Sequence, residues 1–387
     1  MFSKVVSCLL CLTISITAAF AFSESSKEIL EAAQRDGIDL LAFNFTTSAL
    51  KSIDNIFSAN QSIPTVSNNT SHLDVRIDTH AHAVPDWYRQ IVPTIAGQPT
   101  PFWSIEAEFE FMKSLNITHR VLSITTPGST VYSGDREASV ALARLLNEWQ
   151  AALVRTYPKQ FSFVATIPLP YTEESIVEAT YSISKLNAVG IILLSNHEGF
   201  YLGNSIFQPF YQTLNSLTNE RHTIFVHPHT PYLRYNGVLI EANPTIYPPR
   251  QVEFYFDTAR TVMDLFLSGT VQNFTNIRYQ VAHVGDSFPS VIDRFLSSSA
   301  ENASDIYHTL QTRFWWDTAG PTFPHQVLGL VAYDVPKTQL TFGTDWPFRR
   351  NHEANVEAML NAPFLNEDDL DWILAKSPRR LYDIGPL

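Results

Sequence analysis

From Val75 to its C-terminus the chain repeats one pattern: a short β-rich run, then a longer stretch with helical periodicity. The runs are 75–80 (VRIDTH), 120–125 (RVLSIT), 161–167 (FSFVATI), 189–195 (VGIILLS), 222–227 (HTIFVH), 277–283 (IRYQVAH), 313–318 (RFWWDT) and 339–344 (QLTFGT). Helical periodicity fills 105–115, 136–156, 172–186, 205–218, 252–267, 287–298 and 323–332. Strands that alternate with helices pair in parallel, because a parallel neighbour needs a crossover and the crossover helix covers the sheet. Eight such units predict an α/β chain whose sheet closes into a (β/α)8 TIM barrel. A doubly wound open sheet is the alternative. That fold opens with a Gly-rich turn after its first strand, where this chain has Ala81-His82-Ala83.

In a barrel of this kind, chemistry gathers at the C-terminal ends of the strands. Strand one ends in Asp78-Thr79-His80-Ala81-His82, and two His at i and i+2 on an extended strand point to one face. Strand five ends in Val226-His227-Pro228-His229, strand six in Ala282-His283-Val284-Gly285, and strand eight in Gly343-Thr344-Asp345-Trp346-Pro347. Taken singly, each has a plainer explanation. An isolated HxH is weak evidence of a metal, a lone His227 or His283 fits a hydrogen-bonded core, and Asp345 could cap the helix that follows. Their convergence on one mouth is what points to a bound cation. It accounts for five of the 12 histidines: His80, His82, His227, His229 and His283. The other seven, His72, His119, His197, His222, His308, His325 and His352, read as surface or structural.

Composition removes several classes of function. The chain carries 26 Lys+Arg against 38 Asp+Glu, a formal net charge of −12, and has no basic run, so phosphate neutralisation on a nucleic acid is not expected. Its two cysteines, Cys8 and Cys11, lie in a segment (residues 1–21) that reads as a secretory signal peptide: Lys4, an apolar stretch from Val5 to Ala21, and Ala19-Phe20-Ala21. An uncleaved anchor is the rival reading. No later stretch reaches about 18 uninterrupted apolar residues, so no membrane span is expected after cleavage. The mature chain would then lack disulfides, thiolate nucleophiles and cysteine-ligated metals. Sequons at Asn44, Asn60, Asn68, Asn69, Asn116, Asn273 and Asn302 agree with secretion. Residues 22–70 form an extension, with a capping box at Ser25-x-x-Glu28, a stop at Gly37 and a polar linker over 61–71. The catalytic domain is expected over 71–387. No P-loop or G-x-G-x-x-G turn follows a strand. Gly285-Asp286-Ser287-Phe288-Pro289 lacks the second glycine of a nucleophile elbow, so Ser287 is expected to N-cap a helix at 288–298.

The set D-x-H-x-H, F-V-H-P-H, A-H-x-G and F-G-T-D-W-P-F resembles the amidohydrolase superfamily and, within it, the group of aminocarboxymuconate-semialdehyde decarboxylase. Thr100-Pro101-Phe102-Trp103-Ser104, Ser123-Ile124-Thr125-Thr126-Pro127-Gly128 and Trp316-Asp317-Thr318-Ala319-Gly320 are most similar to fungal 6-methylsalicylate decarboxylases. The resemblance implies that His80, His82, His227 and Asp345 hold one divalent metal, Zn2+ favoured by imidazole ligands and Mn2+ also used by relatives. Binuclear members carry a lysine at the end of strand four, and Val189–Asn196 has none, so a single metal is expected. The resemblance also implies His283 and Asp345 as the catalytic pair: Asp345 as proton donor to a ring carbon, His283 as acid/base or as the group that activates a metal-bound water. Asp78 would share a strand face with 80 and 82 and is a further candidate, as a fifth ligand or as a support behind the ligands. The implied reaction is non-oxidative decarboxylation of a small aromatic acid of hydroxybenzoate type, with Trp87, Phe102, Trp103 and Trp346 as candidates for a flat apolar pocket. Hydrolysis of a lactone or amide on the same ligands is the alternative, and a secreted barrel without activity fits the intact motif set worst. Homodimers are usual for the group.

Overall fold

The computed structural model describes residues 22–58, 75–218, 221–298, 303–320, 324–348 and 351–385. Residues 1–21, expected to be a signal peptide, and 61–71, expected to be a linker, lie outside the described residues.

All eight β-rich runs form strands, and they are joined in one sheet in chain order. They are β1 Ile77–Ala83, β2 His119–Ile124, β3 Phe161–Thr166, β4 Gly190–Leu194, β5 His222–His227, β6 Ile277–Val281, β7 Phe314–Asp317 and β8 Leu340–Thr341. Every neighbouring pair is parallel. The sheet closes on itself. Thr79 N–H donates to Phe342 O at 2.8 Å, His82 N–H donates to Trp346 O at 2.9 Å, and Ala81 bridges Trp346 in parallel. Apolar runs such as Gly-Ile-Ile-Leu-Leu in β4 are buried throughout, as expected for strands covered on both faces.

Two strands end two or more residues earlier than the β-rich runs suggest. After Val281 the backbone enters left-handed conformations at His283 (φ +53°) and Val284 (φ +57°), so β6 stops before the histidine. The last run keeps only Leu340–Thr341 as strand, and Phe342 N–H turns to Ile373 O at 2.9 Å. Asp345 is itself left-handed (φ +59°). Non-glycine residues are uncommon in that region and concentrate where a side chain must be aimed.

Helix α1 spans Glu24–Arg35 and α2 Thr46–Ser58. The N-cap of α1 is Ser23, whose Oγ accepts from Ser26 N–H at 3.0 Å. Ser25 lies inside the first turn, so the expected capping box at Ser25 does not form. The chain turns at Gly37, as expected. Ala49, Leu50 and Ile53 of α2 are buried and pack towards α3, Arg136–Thr156, in which every residue from Ala138 to Leu153 is buried. An amphipathic helix hides one stripe, and one buried all round must be covered on both sides. Here the barrel covers one side and the extension the other. Trp149 Nε1 donates to Ser52 Oγ at 3.0 Å, and Arg144 Nη2 pairs with Asp36 Oδ2 at 2.7 Å.

Ser287 does not cap a helix with its side chain. Its Oγ donates to Tyr255 O at 2.8 Å, and a 3-10 turn (Phe288–Ser290) precedes the helix Ile292–Ser298. Opposite the mouth, where strands begin, polar side chains are spent on backbone. Arg313 donates to Ile277 O, Val271 O and Phe274 O at 3.0, 2.7 and 2.7 Å. His119 is held by Lys159 O at 2.9 Å and Ser162 Oγ at 2.8 Å.

Candidate active site

His80 and His82 project from β1, His227 ends β5, and Asp345 follows β8. All four are buried, and their ligand atoms lie within 4.8 Å of one another. His283, after β6, places Nε2 3.5 Å from Asp345 Oδ2 and Nδ1 3.6 Å from Asp286 Oδ1. The barrel therefore brings together all five residues that the sequence singled out as ligands or catalysts.

The hydrogen bonds behind the histidines aim them. His80 Nδ1 meets Asp317 Oδ1 at 3.0 Å, and His227 Nδ1 meets Pro228 O at 2.8 Å. Ser123 Oγ gives its proton to Ala81 O at 3.0 Å, so its lone pair accepts from His82 Nδ1 at 2.9 Å. Each Nδ1 is thus a donor, and each Nε2 is left as a lone pair. His80 Nε2 and His82 Nε2 stand 3.2 Å apart, and both face Asp345 Oδ1, at 3.5 and 3.3 Å. Two lone pairs at that separation repel unless a cation lies between them. Three imidazole nitrogens and one carboxylate, oriented from behind by protein acceptors, suit a divalent metal. One such group is found among the described residues. The end of β4 adds no donor to it: Ser195 Oγ is bonded to Asp257, and Asn196 Nδ2 to Thr230 O and Asp257.

Electrostatics follow from burial and carboxylates. Burial pushes the His82 and His227 imidazoles below their ordinary pKa. It acts the same way on His80, but Asp317 and Asp345 together outweigh it and the net direction is upward. For His283, burial is opposed by Asp286 and Asp345 on either side, and its pKa rises to about 10. Burial would raise the Asp345 carboxyl, yet contacts with His283, His80 and His82 hold it well below the usual carboxylate range.

Asp78 is not part of this group. The register of β1 against β2 shifts between Asp78 and Ala81, so 78 no longer shares a face with 80 and 82. Its carboxylate pairs with Arg120 at 2.9 Å and accepts from Thr344 Oγ1, Thr344 N–H and His80 N–H at 2.6, 3.1 and 3.1 Å. It ties together the backbones that carry His80 and Asp345. His229 also stays apart: Nδ1 meets Thr126 Oγ1 at 2.6 Å. Gly343 leaves room for His80, since a Cβ there would lie 2.8 Å from His80 Cβ.

A cavity with about 570 Å3 of empty space, open mouth included, stands over these residues. Phe254, Tyr255 and Phe348 supply its aromatic wall. The four aromatics suggested by sequence do not line it. Trp103 donates to Glu108 at 2.7 Å, Trp346 stacks on Phe111 at 5.1 Å, Trp87 is buried in the core, and Phe102 is 63% exposed. Sequence reasoning also missed Asp317, which accepts from His283 N–H and Gln280 Nε2 as well as His80. The available signal was its position, a carboxylate at the end of β7, which is the rule that had found Asp345.

A family model described as Amidohydrolase matches residues 77–384. The chain is 32% identical over 222 residues to Decarboxylase yanB of Aspergillus niger, covering 55% of this chain and 59% of that protein. It is 28% identical over 289 residues to 6-methylsalicylic acid decarboxylase acuB of Aspergillus aculeatus, covering 70% and 84%. Among solved structures, the 5-carboxyvanillate decarboxylase of Novosphingobium aromaticivorans, complexed with manganese and 4-hydroxy-3-methoxy-5-nitrobenzoic acid, has the same fold: TM-score 0.67, 15% identity, 84% of this chain and all of that one. The barrel, the mouth and the extent of the match agree, and the chain belongs to the amidohydrolase family.

Proposed function

We propose that this chain is a metal-dependent, non-oxidative decarboxylase of a small aromatic acid of hydroxybenzoate type, 6-methylsalicylate among the candidates. The observation that carries the reading is the His283–Asp345 contact beside the three aimed Nε2 atoms, within a cavity walled by aromatic rings. A divalent ion held by His80, His82, His227 and Asp345, Zn2+ or Mn2+, would supply Lewis-acid stabilisation of the substrate oxygens. The remaining work falls to the chain. His283, between Asp286 and Asp345, holds a proton next to Asp345, and the pair delivers it to the ring carbon that carries the carboxylate. A C–H bond forms there, the C–C bond breaks, and its electron pair restores the ring as CO2 leaves. Asp317 keeps His80 turned, and Phe254, Tyr255 and Phe348 keep water from the ring face. The relatives named decarboxylases support this reading. Incubation of metal-loaded protein with a panel of hydroxybenzoates, with loss of carboxylate followed by chromatography, tests it. CO2 release is expected. Incorporation of labelled water into the product without CO2 would instead support a hydrolase.

Entry into the secretory pathway, with cleavage near Phe22, belongs to the same proposal. It rests on the apolar N-terminal segment and on exposed side chains at three sequons, Asn44, Asn116 and Asn273. N-terminal sequencing that recovers Met1 on an unglycosylated protein would refute it. No helix among the described residues is long and apolar enough to cross a membrane. Homodimers are part of the proposal too, and the exposed Leu233, Tyr235, Val238 and Ile240 of the hairpin 232–241 are apolar surface that pairing would cover.

A further inference from the structure

The roof of the cavity is made where two loops meet. Residues 94–99 pair as a small antiparallel turn after β1, and Pro248 of the segment after β5 presses against it. Gly97 sits at φ +82°, and a Cβ there would come 2.7 Å from Pro248 Cβ, so only glycine permits this approach. Gln251 N–H donates to Pro248 O at 2.8 Å and closes a 3-10 turn, Pro249–Gln251, that presents Arg250. The Arg250 side chain lines the cavity, and its Nε is buried with no hydrogen-bond partner.

Arg120 and Arg144 also keep one buried nitrogen unbonded each, but the rest of their guanidinium groups is paired, which that of the half-buried Arg250 is not among the described residues. Arg120 is committed to Asp78 and Glu108, Arg144 to Glu178 and Asp36, and Arg313 to three carbonyls. Among the described residues no carboxylate pairs with the Arg250 guanidinium. It is also the one Lys or Arg among the described residues of a wall that carries two carboxylates, Asp286 and Asp345. A buried, unpartnered guanidinium nitrogen is costly unless a ligand completes it, and its fork matches a carboxylate.

We propose that Arg250 is a carboxylate-binding residue of this cavity, taking the acid group of the incoming aromatic acid through charge-assisted hydrogen bonds. The assignment rests on the reading that the ligand is an aromatic acid. It has a consequence for turnover: once CO2 has left, the phenolic product has nothing to offer Arg250, so this contact favours substrate over product.

Binding of 2-hydroxybenzoate and of phenol to metal-loaded wild type, Arg250→Gln and Arg250→Lys, measured by calorimetry, tests the assignment. Arg250→Gln should weaken 2-hydroxybenzoate by about tenfold to a hundredfold, leave phenol within about twofold, and keep its metal; Arg250→Lys should recover part of the loss. Equal weakening of acid and phenol would reassign Arg250 to wall packing. Unchanged binding of the acid, or a wild type that shows no preference for it over phenol, would overturn the proposal. If the preference depends on Arg250 but no acid in the panel releases CO2, the decarboxylase reading fails and the Arg250 assignment stands. If CO2 is released and Arg250→Gln leaves KM unchanged, the reverse holds.

Discussion

His80 and His119 are both fully enclosed histidines on neighbouring strands, one at the mouth of the barrel and one at the opposite end. His119 has both ring nitrogens answered by the protein, one by a carbonyl and one by a hydroxyl. His80 has one nitrogen answered by Asp317, and the other faces a second histidine nitrogen at 3.2 Å. The same side chain is a structural strut where its hydrogen bonds close and is able to hold a metal where one is left open. Arg313 at the strand starts and His82 and His227 at the strand ends differ in the same way. At the strand starts Arg313 and His119 are consumed by backbone and hydroxyl groups, while at the strand ends donors are aimed into shared space. Strand starts of such barrels serve stability and strand ends serve chemistry.

The comparison breaks most sharply at His80. His80→Ala should lose both metal and activity, because it removes one of four donors; metal assay and turnover on one preparation check this. An active, metal-replete variant would place the cation elsewhere. His283→Ala should lower turnover by at least about a hundredfold yet keep its metal, since it removes a proton carrier and not a donor. A metal-free His283→Ala would move His283 among the ligands. Asp317→Asn should be milder. Weakening the acceptor behind His80 should reduce metal affinity by about 10- to 100-fold, read by chelator competition, with activity restored by excess metal.

The smallest effect on activity belongs to the opposite end. Burial lowers the His119 pKa to about 4, against an ordinary 6.5. Between those values the unfolded chain binds the proton and the folded chain does not. The stabilising contribution is therefore complete above about pH 6.5 and is lost as pH falls towards about 4, at up to ~1.4 kcal/mol per pH unit. His119→Gln should leave metal and turnover unchanged and flatten the loss of stability over that window. Denaturant unfolding at several pH values checks this. An undiminished acid slope would show that other groups set it.

Sequence carried the barrel further than it carried the site's surroundings. The eight runs were legible because β-branched and apolar residues cluster in short runs between stretches of helical periodicity, and the strand-end rule then singled out His80, His82, His227, His283 and Asp345. Of the two roles open to Asp78 the structure shows the supporting one, behind the backbones of His80 and Asp345, because period-two alternation assumes a regular strand and the shift in β1 breaks that period. Trp103 and Trp346 looked like pocket walls because composition marks aromatics but not the direction they face. The real wall comes from the 94–99 turn, Arg250, Phe254 and Tyr255 at the start of the helix Glu253–Leu267, and Phe348, and their meeting depends on tertiary packing such as Pro248 against Gly97, which no periodicity encodes. The burial of α3 on both sides was equally hidden, since it depends on an extension about a hundred residues away in sequence.

The central claim is that one divalent ion, held at the mouth, is required for decarboxylation. The most direct measurement strips the protein with a chelator and restores metal in known steps while CO2 release from a hydroxybenzoate is recorded. The account predicts no release from the stripped protein and a linear recovery that breaks at one equivalent per chain. A break at two equivalents, or release that survives stripping to metal-free protein, would contradict it.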